Sequence, residues 1–357
     1  MDVRIAEKVK VEKQVEKKEK LRINKTWFIG LMLVLMIMVI MLSLTAGRYE
    51  ISLNELLSTI MFKLKGEVPD SLRQVETILF QVRLPRVITS VFIGAALSIS
   101  GTAYQSMFKN PMVSPDILGV SVGAGFGAAL GIIFNRGYME IQLLSFAFGL
   151  LAVTVTYIIS HAVGKTGDKI IVLVLCGMVI RTVFQAFISI TKYLADPEDS
   201  LPAITFWLMG SLSAVTLKDA LYIGIPTTIG IIILMRYRWQ LNVMAFGDEE
   251  AASLGVDTSI IRKVIIVVST IIVSMSISVC GTIGWVGLII PHFARMIVGP
   301  DNRMLMPFSI LIGGTYLLIM DDVARTMLQV EIPISILTSI IGAPIFVLLL
   351  IRSRRCW

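Results

Sequence analysis

WFIGLMLVLMIMVIMLSL, residues 27–44, contains no charged side chain, and its reading decides the class of the protein. A helix of this length at 1.5 Å per residue covers roughly 27 Å, close to the thickness of a bilayer's hydrocarbon core. The run is longer than the roughly 7–15 residues of a signal-peptide core, and a long tail precedes it. It is expected to be retained as a first spanning helix.

The tail, residues 1–25, holds nine Lys/Arg against five Asp/Glu. Adjoining Trp27 and an apolar run, such a segment suits an anionic membrane-lipid surface better than nucleic acid, so it is expected to be a basic, membrane-proximal cytoplasmic tail. Residues 26–357 are expected to form one transmembrane domain. Across all 357 residues, 55% are hydrophobic, only 16% are charged, and the mean hydropathy is +0.82. A water-soluble domain of this size could not hide that much apolar surface. Cys176, Cys280 and Cys356 are far apart, as suits small buried residues and not a disulfide framework or zinc site.

Apolar runs bounded by charge or Gly/Pro predict ten spans, at about 27–46, 86–107, 116–134, 140–163, 170–193, 218–236, 260–282, 285–298, 304–326 and 334–351. The eighth is short and contains Pro291. Lys and Arg near the span ends favour both termini inside, in the cytoplasmic membrane, an all-α integral membrane protein. The segment 47–86 departs from that bias with six basic and five acidic residues. Within it "SLNELLSTIMFKLKG" predicts a short surface helix capped by Ser52 or Asn54.

Few motifs carry chemistry. Gly164-Lys165-Thr166 resembles the end of a phosphate loop, but Ile159 stands where the first glycine is required, so the chain offers no nucleotide site. Two separated histidines, His161 and His292, make no metal site, and no cofactor, nucleophile–base set or carboxylate pair is visible. The ridge Gly119, Gly123, Gly127 and Gly131 permits close helix packing, or lines a pore. Arg181, a lone cation inside an apolar run, is either a translocation-path residue or a paired structural arginine. Asp321, Asp322 and Arg325 lie near the end of the ninth span, where they can neutralise one another.

The acidic insert "AFGDEEAASLGVDTS", residues 245–259, falls on the cytoplasmic side. Asp248, Glu249 and Glu250 complement the positive end of a short helix, Ala251, Ala252 and Leu254 leave it a small apolar face, and Gly255 ends it. Such a helix suits a groove on another protein, or is a solvated loop.

Six separated motifs then occur in a recognisable order: "RLPR" (83–86), "GTAYQSMFKNPMVSPDILGVSVGAG" (101–125), "FWLMGSLS" (206–213), "GDEEAASLGV" (247–256), "GTIGWVGLIIPHFARMIVGPDNR" (281–303) and "EIPISILTSIIGAPIF" (331–346). From about residue 47 to 352 the chain resembles the permease subunits of ATP-binding-cassette importers for iron-siderophores, haem and cobalamin. The resemblance implies ten helices per subunit, a homodimer with its pathway on the two-fold axis, two separate ATPase subunits and an extracytoplasmic substrate-binding protein. It implies that the segment beginning at Gly247 couples to the ATPase, and that Arg83, Arg86 and Arg325 meet glutamates of the binding protein. The chain departs from the family pattern at Asn302, Ser335 and Arg181. An ion-coupled secondary transporter, the alternative, would want acids within its spans, and those before Asp321 have almost none.

Overall fold

The computed structural model describes residues 27–163 and 169–353. The basic tail, the Gly164-Lys165-Thr166 turn, Arg354, Arg355 and Cys356 lie outside the described residues. Every described secondary-structure element is helical: α1 (Trp27–Thr45), α2 (Leu53–Lys65), α3 (Asp70–Met107), α4 (Val120–Ile133), α5 (Tyr138–Val163), α6 (Lys169–Leu194) and α7 (Ser200–Met209), followed by α8 (Leu217–Arg236), α9 (Arg238–Met244), α10 (Asp248–Ser253), α11 (Thr258–Cys280), α12 (Val286–Val298), α13 (Asn302–Thr326) and α14 (Ile334–Ser353).

Seven of these, α1, α3, α5, α6, α8, α11 and α13, are long and apolar enough to cross a membrane. Of the other three expected spans, those near 116–134 and 285–298 fall on α4 and α12, which are shorter apolar helices, and that near 334–351 falls on α14, whose 20 residues equal α8 in length. With 14 and 13 residues, α4 and α12 reach only about 20 Å, short of a full bilayer core. A third short apolar helix, the 10-residue α7, lies between the expected spans at 170–193 and 218–236.

Helix α3 is the axis of the fold. Its most apolar stretch is about four-fifths buried, and α13, α8, α12 and α11 pack around it. Small side chains make this possible. A Cβ at Gly101 would lie 1.8 Å from the Gly287 carbonyl oxygen of α12, and one at Gly94 would lie 2.2 Å from that of Gly313 in α13. Larger residues fill the space between these contacts, with Ile93, Ile99 and Tyr104 buried. The helix begins sixteen residues before the expected start at 86. Pro85 does not break it, because a π-helical stretch, Ile78–Arg83, precedes the proline and accommodates its missing donor.

Antiparallel packing of α3 with α13 sets the height of the molecule. At one end Arg86 pairs with Asp321. At the other, Ser106 Oγ donates to Asn302 Oδ1 (2.8 Å), and Asn302 N and Nδ2 both donate to Asn242 Oδ1 (2.9 Å). Arg86 and Ser106 are twenty helical residues apart, about 30 Å, so one packed pair covers a bilayer core. Asn302, one of the departures from the family pattern, is thus the buried knot tying α3, α9 and α13 together.

The cap expected for α2 forms, through Ser52 and not Asn54. Ser52 caps α2 with a full capping box: Glu55 N–H donates to Ser52 Oγ, and Ser52 N–H to Glu55 Oε2. Thr216 and Asp219 cap α8 in the same way, and Asp219 also accepts from Gln142 of α5 at 2.9 Å.

Candidate functional site

Three places hold the residues singled out in the sequence, one at each end of the α3/α13 pair and one between.

The end marked by Asn302 carries α10, six residues long. Gly247 precedes it at φ +135°, a backbone angle that side-chain-bearing residues rarely adopt, and a Cβ there would lie 2.1 Å from Glu250 Oε2. Gly255 (φ +76°) follows, with its N–H donating to the Ala252 carbonyl and that of Val256 to Ala251 (both 2.9 Å). The small face expected of this helix divides: Ala251 is buried against the bundle, whereas Ala252 is exposed. Asp248, Glu249 and Glu250 are exposed, and Arg262 of α11 holds Asp248 at 2.6 Å. Phe246 and Leu254, 74% and 60% exposed, flank the acids with apolar surface. Phe246 was not singled out in the sequence, because one aromatic among so many apolar residues carries no signal until its exposure is known.

At the opposite end the arginines expected to meet a partner are buried in the chain itself. Arg83 Nη1 donates to the carbonyls of Leu44 (2.6 Å) and Thr45 (2.7 Å), and Nη2 to that of Tyr49. It thereby closes the carboxyl end of α1, whose last carbonyls have no partner within the helix. Arg86 Nε reaches both oxygens of Asp321 (2.9 and 2.8 Å), while Nη1 and Nη2 take Glu331 (2.9 and 3.0 Å). Arg325 Nη2 binds Asp322 Oδ1 (2.6 Å) and the Ser43 carbonyl (2.5 Å). Of the two pairings open to Arg325 within the chain, the one formed is with Asp322, and Asp321 belongs to Arg86. Glu331, whose side chain is one-third exposed, is the solvent-facing member of this network and was missed in the sequence. No spacing rule links it to Arg86, which is 245 positions away.

Between the two ends lies a cavity of about 570 Å³ lined by Asp116, Arg181, Gln185, Thr282, Trp285 and Ser335 among others. The chain builds it by close approach. A Cβ at Gly177 would lie 2.3 Å from the Ile117 carbonyl, so α6 closes on the turn Pro115–Leu118. One helical turn later Arg181 Nη1 stands 3.4 Å from Asp116 Oδ2. Asp116 Oδ1 accepts the Ser121 N–H (2.9 Å) in the first turn of α4. Across the cavity, the loop after α11 turns through Gly281 (φ +74°), and Trp285 takes a positive φ of +70°, rare for an aromatic residue. Arg181 and Ser335, two departures from the family pattern, both line this space.

Arg181 is therefore both paired and cavity-lining, so neither reading of it excludes the other. The glycine ridge is a packing surface. A Cβ at Gly123 or Gly127 would lie 2.6 or 2.3 Å from carbonyl oxygens of Phe148 or Leu144 in α5, and neither glycine lines the cavity. Gly119, at φ +87°, is the turn from Pro115–Leu118 into α4 and lies behind Arg181.

Residues 35–352 match the model of the FecCD transport family. The chain is 37% identical over 326 residues to the molybdate import system permease protein MolB of Haemophilus influenzae, covering 91% of this chain and 95% of that one. It is 35% identical over 332 residues to a protein of Helicobacter pylori strain 26695 named "Probable iron chelatin transport system permease protein", covering 92% and 99%. Among solved structures it is similar to an inward-facing metal-chelate-type ABC transporter, with a TM-score of 0.81, 35% identity, and coverage of 91% of this chain and 98% of that one.

Proposed function

The chain belongs to the FecCD transport family and is an integral cytoplasmic-membrane permease of an ATP-binding-cassette importer, and we propose that its cargo is an iron chelate or a related metal-organic compound such as haem or cobalamin. It works by alternating access, as a homodimer with both termini inside. Two ATPase subunits sit on the cytoplasmic face and a substrate-binding protein on the other. The permease performs no covalent chemistry.

One observation carries this reading: an exposed acidic helix and a buried arginine network lie at opposite ends of the same helix pair, with a polar-lined cavity between them. Helix α10 is the ATPase contact in this reading. Its exposed Phe246 and Leu254 gain from being covered, and Asp248, Glu249 and Glu250 give the contact a sign. At the far end, Arg83, Arg86 and Arg325 act by exchange. An acidic lobe of the binding protein displaces Glu331, the most exposed acid on Arg86, without leaving that guanidinium unpaired. Arg181 lies on the path.

The test is co-purification with the cognate ATPase. Glu249→Lys with Glu250→Lys is expected to abolish association while the chain still inserts into the membrane at wild-type yield. Undiminished association refutes the coupling role. Uptake of the cargo by the chain alone, in ion-loaded vesicles without ATPase, refutes the importer mechanism and favours an ion-coupled carrier.

A further inference from the structure

Arg181 is the mid-point of the problem posed by α6. It lies twelve residues from Lys169 and thirteen from Leu194, hence about 18 Å or more from either end of the helix. A guanidinium at that height cannot face lipid without a large desolvation cost, so it must face protein or water. Its side chain is nonetheless 57% exposed, facing the cavity. Among the described residues its one charged partner is Asp116, touched by a single nitrogen at 3.4 Å, and no hydrogen bond from its head is formed. A guanidinium has five N–H donors, so most of those of this cavity-lining side chain have no partner among the described residues.

The partner is differently placed. The Asp116 side chain is only 22% exposed and is anchored from behind by Ser121 N–H. It sits at the amino end of α4, where the helix dipole offsets part of its negative charge. The cation is thus the accessible member of the pair and the anion the recessed one. Gln185, one turn along α6, adds a neutral polar group beside Arg181, and Thr282 and Ser335 line the same cavity.

We propose that this cavity is a transient station for anionic oxygen donors, with Arg181 as the specificity-determining contact and Asp116 as the group the cargo must displace. The inference rests on the permease reading and narrows it: the cargo presents negatively charged oxygens to the pathway, as a free oxyanion or as the rim of a metal chelate. The competing carboxylate keeps residence short. A site on a conduction path must be favourable enough to enter and weak enough to leave, and an intramolecular counter-ion returning to Arg181 as the cargo departs meets both conditions. An uncompensated arginine would hold the anion; an uncharged residue would not select it.

The experiment uses the full chain in nanodiscs for binding, and the same chain reconstituted with its ATPase and binding protein for uptake. The probes are molybdate as a free oxyanion, an anionic ferric tris-catecholate, and a neutral ferric tris-hydroxamate. Arg181→Gln is expected to weaken binding of at least one anionic probe by about tenfold, the loss of roughly one charge-assisted hydrogen bond. It should leave the neutral probe unchanged. Asp116→Asn is expected to tighten the same anion and to slow its release. Which anionic probe responds separates oxyanion from chelate. Anion binding that is absent, or unchanged in Arg181→Gln, overturns the proposal. So does uptake whose anion-to-neutral ratio does not fall in that variant, and in that case the permease reading stands. If Arg181-dependent binding persists but no probe is taken up with ATP, the proposed cargo class fails and the anion site stands.

Discussion

Arg86→Met puts the buried network to a quantitative test. Arg86 is 6% exposed and Asp321 0%, and Arg86 makes the only hydrogen bonds to the Asp321 carboxylate among the described residues. Methionine keeps much of the stem's volume but leaves that carboxylate buried without a cation. Breaking a buried pair from one side costs about 3–5 kcal/mol, chiefly the desolvation of the abandoned charge. Asp321→Asn is a different perturbation. The amide oxygen still accepts from Nε, and Arg86 keeps Glu331 through two hydrogen bonds at 2.9 and 3.0 Å, so the expected cost is about 1–2 kcal/mol. In the double variant no buried carboxylate remains, and Glu331 retains access to water. Its cost should fall below the sum of the two single costs by about 2 kcal/mol or more. The assay is reversible unfolding in mixed detergent micelles, with free energies extrapolated to zero denaturant. Strict additivity, or equal costs for the two single variants, would refute the assignment of Asp321 to Arg86.

Two further predictions concern packing and capping. Gly101→Ala forces a methyl into the Gly287 carbonyl and is expected to cost at least about 1–3 kcal/mol, whereas Gly30→Ala, which meets nothing within 4 Å, should be neutral or stabilising by up to ~1 kcal/mol; the same unfolding assay reads both. Thr216→Ala removes the hydroxyl half of the α8 capping box and should cost about 0.5–2 kcal/mol, seen as faster amide exchange in the first turn of α8 before any global loss.

The two ends and the middle of the molecule were unequally legible in the sequence. Helix α10 was readable to within a residue or two, because acids at a helix start and glycine at its end are local signals with one common cause, the unpaired backbone groups of a helix terminus. The Ser52 cap was readable for the same reason. The glycine ridge was readable as a feature but ambiguous in purpose, since spacing says that a face is bare and not what covers it; α5 covers it. Arg83, Arg86 and Arg325 were found as residues, and Asp322, three positions before Arg325, was in view as a partner for it, but nothing local revealed that Leu44 takes the donors of Arg83 or that Asp321 and Glu331 take those of Arg86. Asp116 was passed over inside a long motif, although it stands beside the exposed guanidinium of Arg181 in the cavity.

Hydrophobic run length and charge bias by themselves determined that the chain is helical and embedded in a membrane, because a bilayer leaves a backbone few ways to satisfy its polar groups, and the helix does so within a single segment. The order of six motifs determined the family. Tertiary structure alone decided how the helices pack around α3, that Asp321 and Glu331 neutralise Arg86, and that Arg181 faces a cavity. Those outcomes depend on contacts between residues tens to hundreds of positions apart, and they are set by how closely small side chains let the helices approach, which no local pattern encodes.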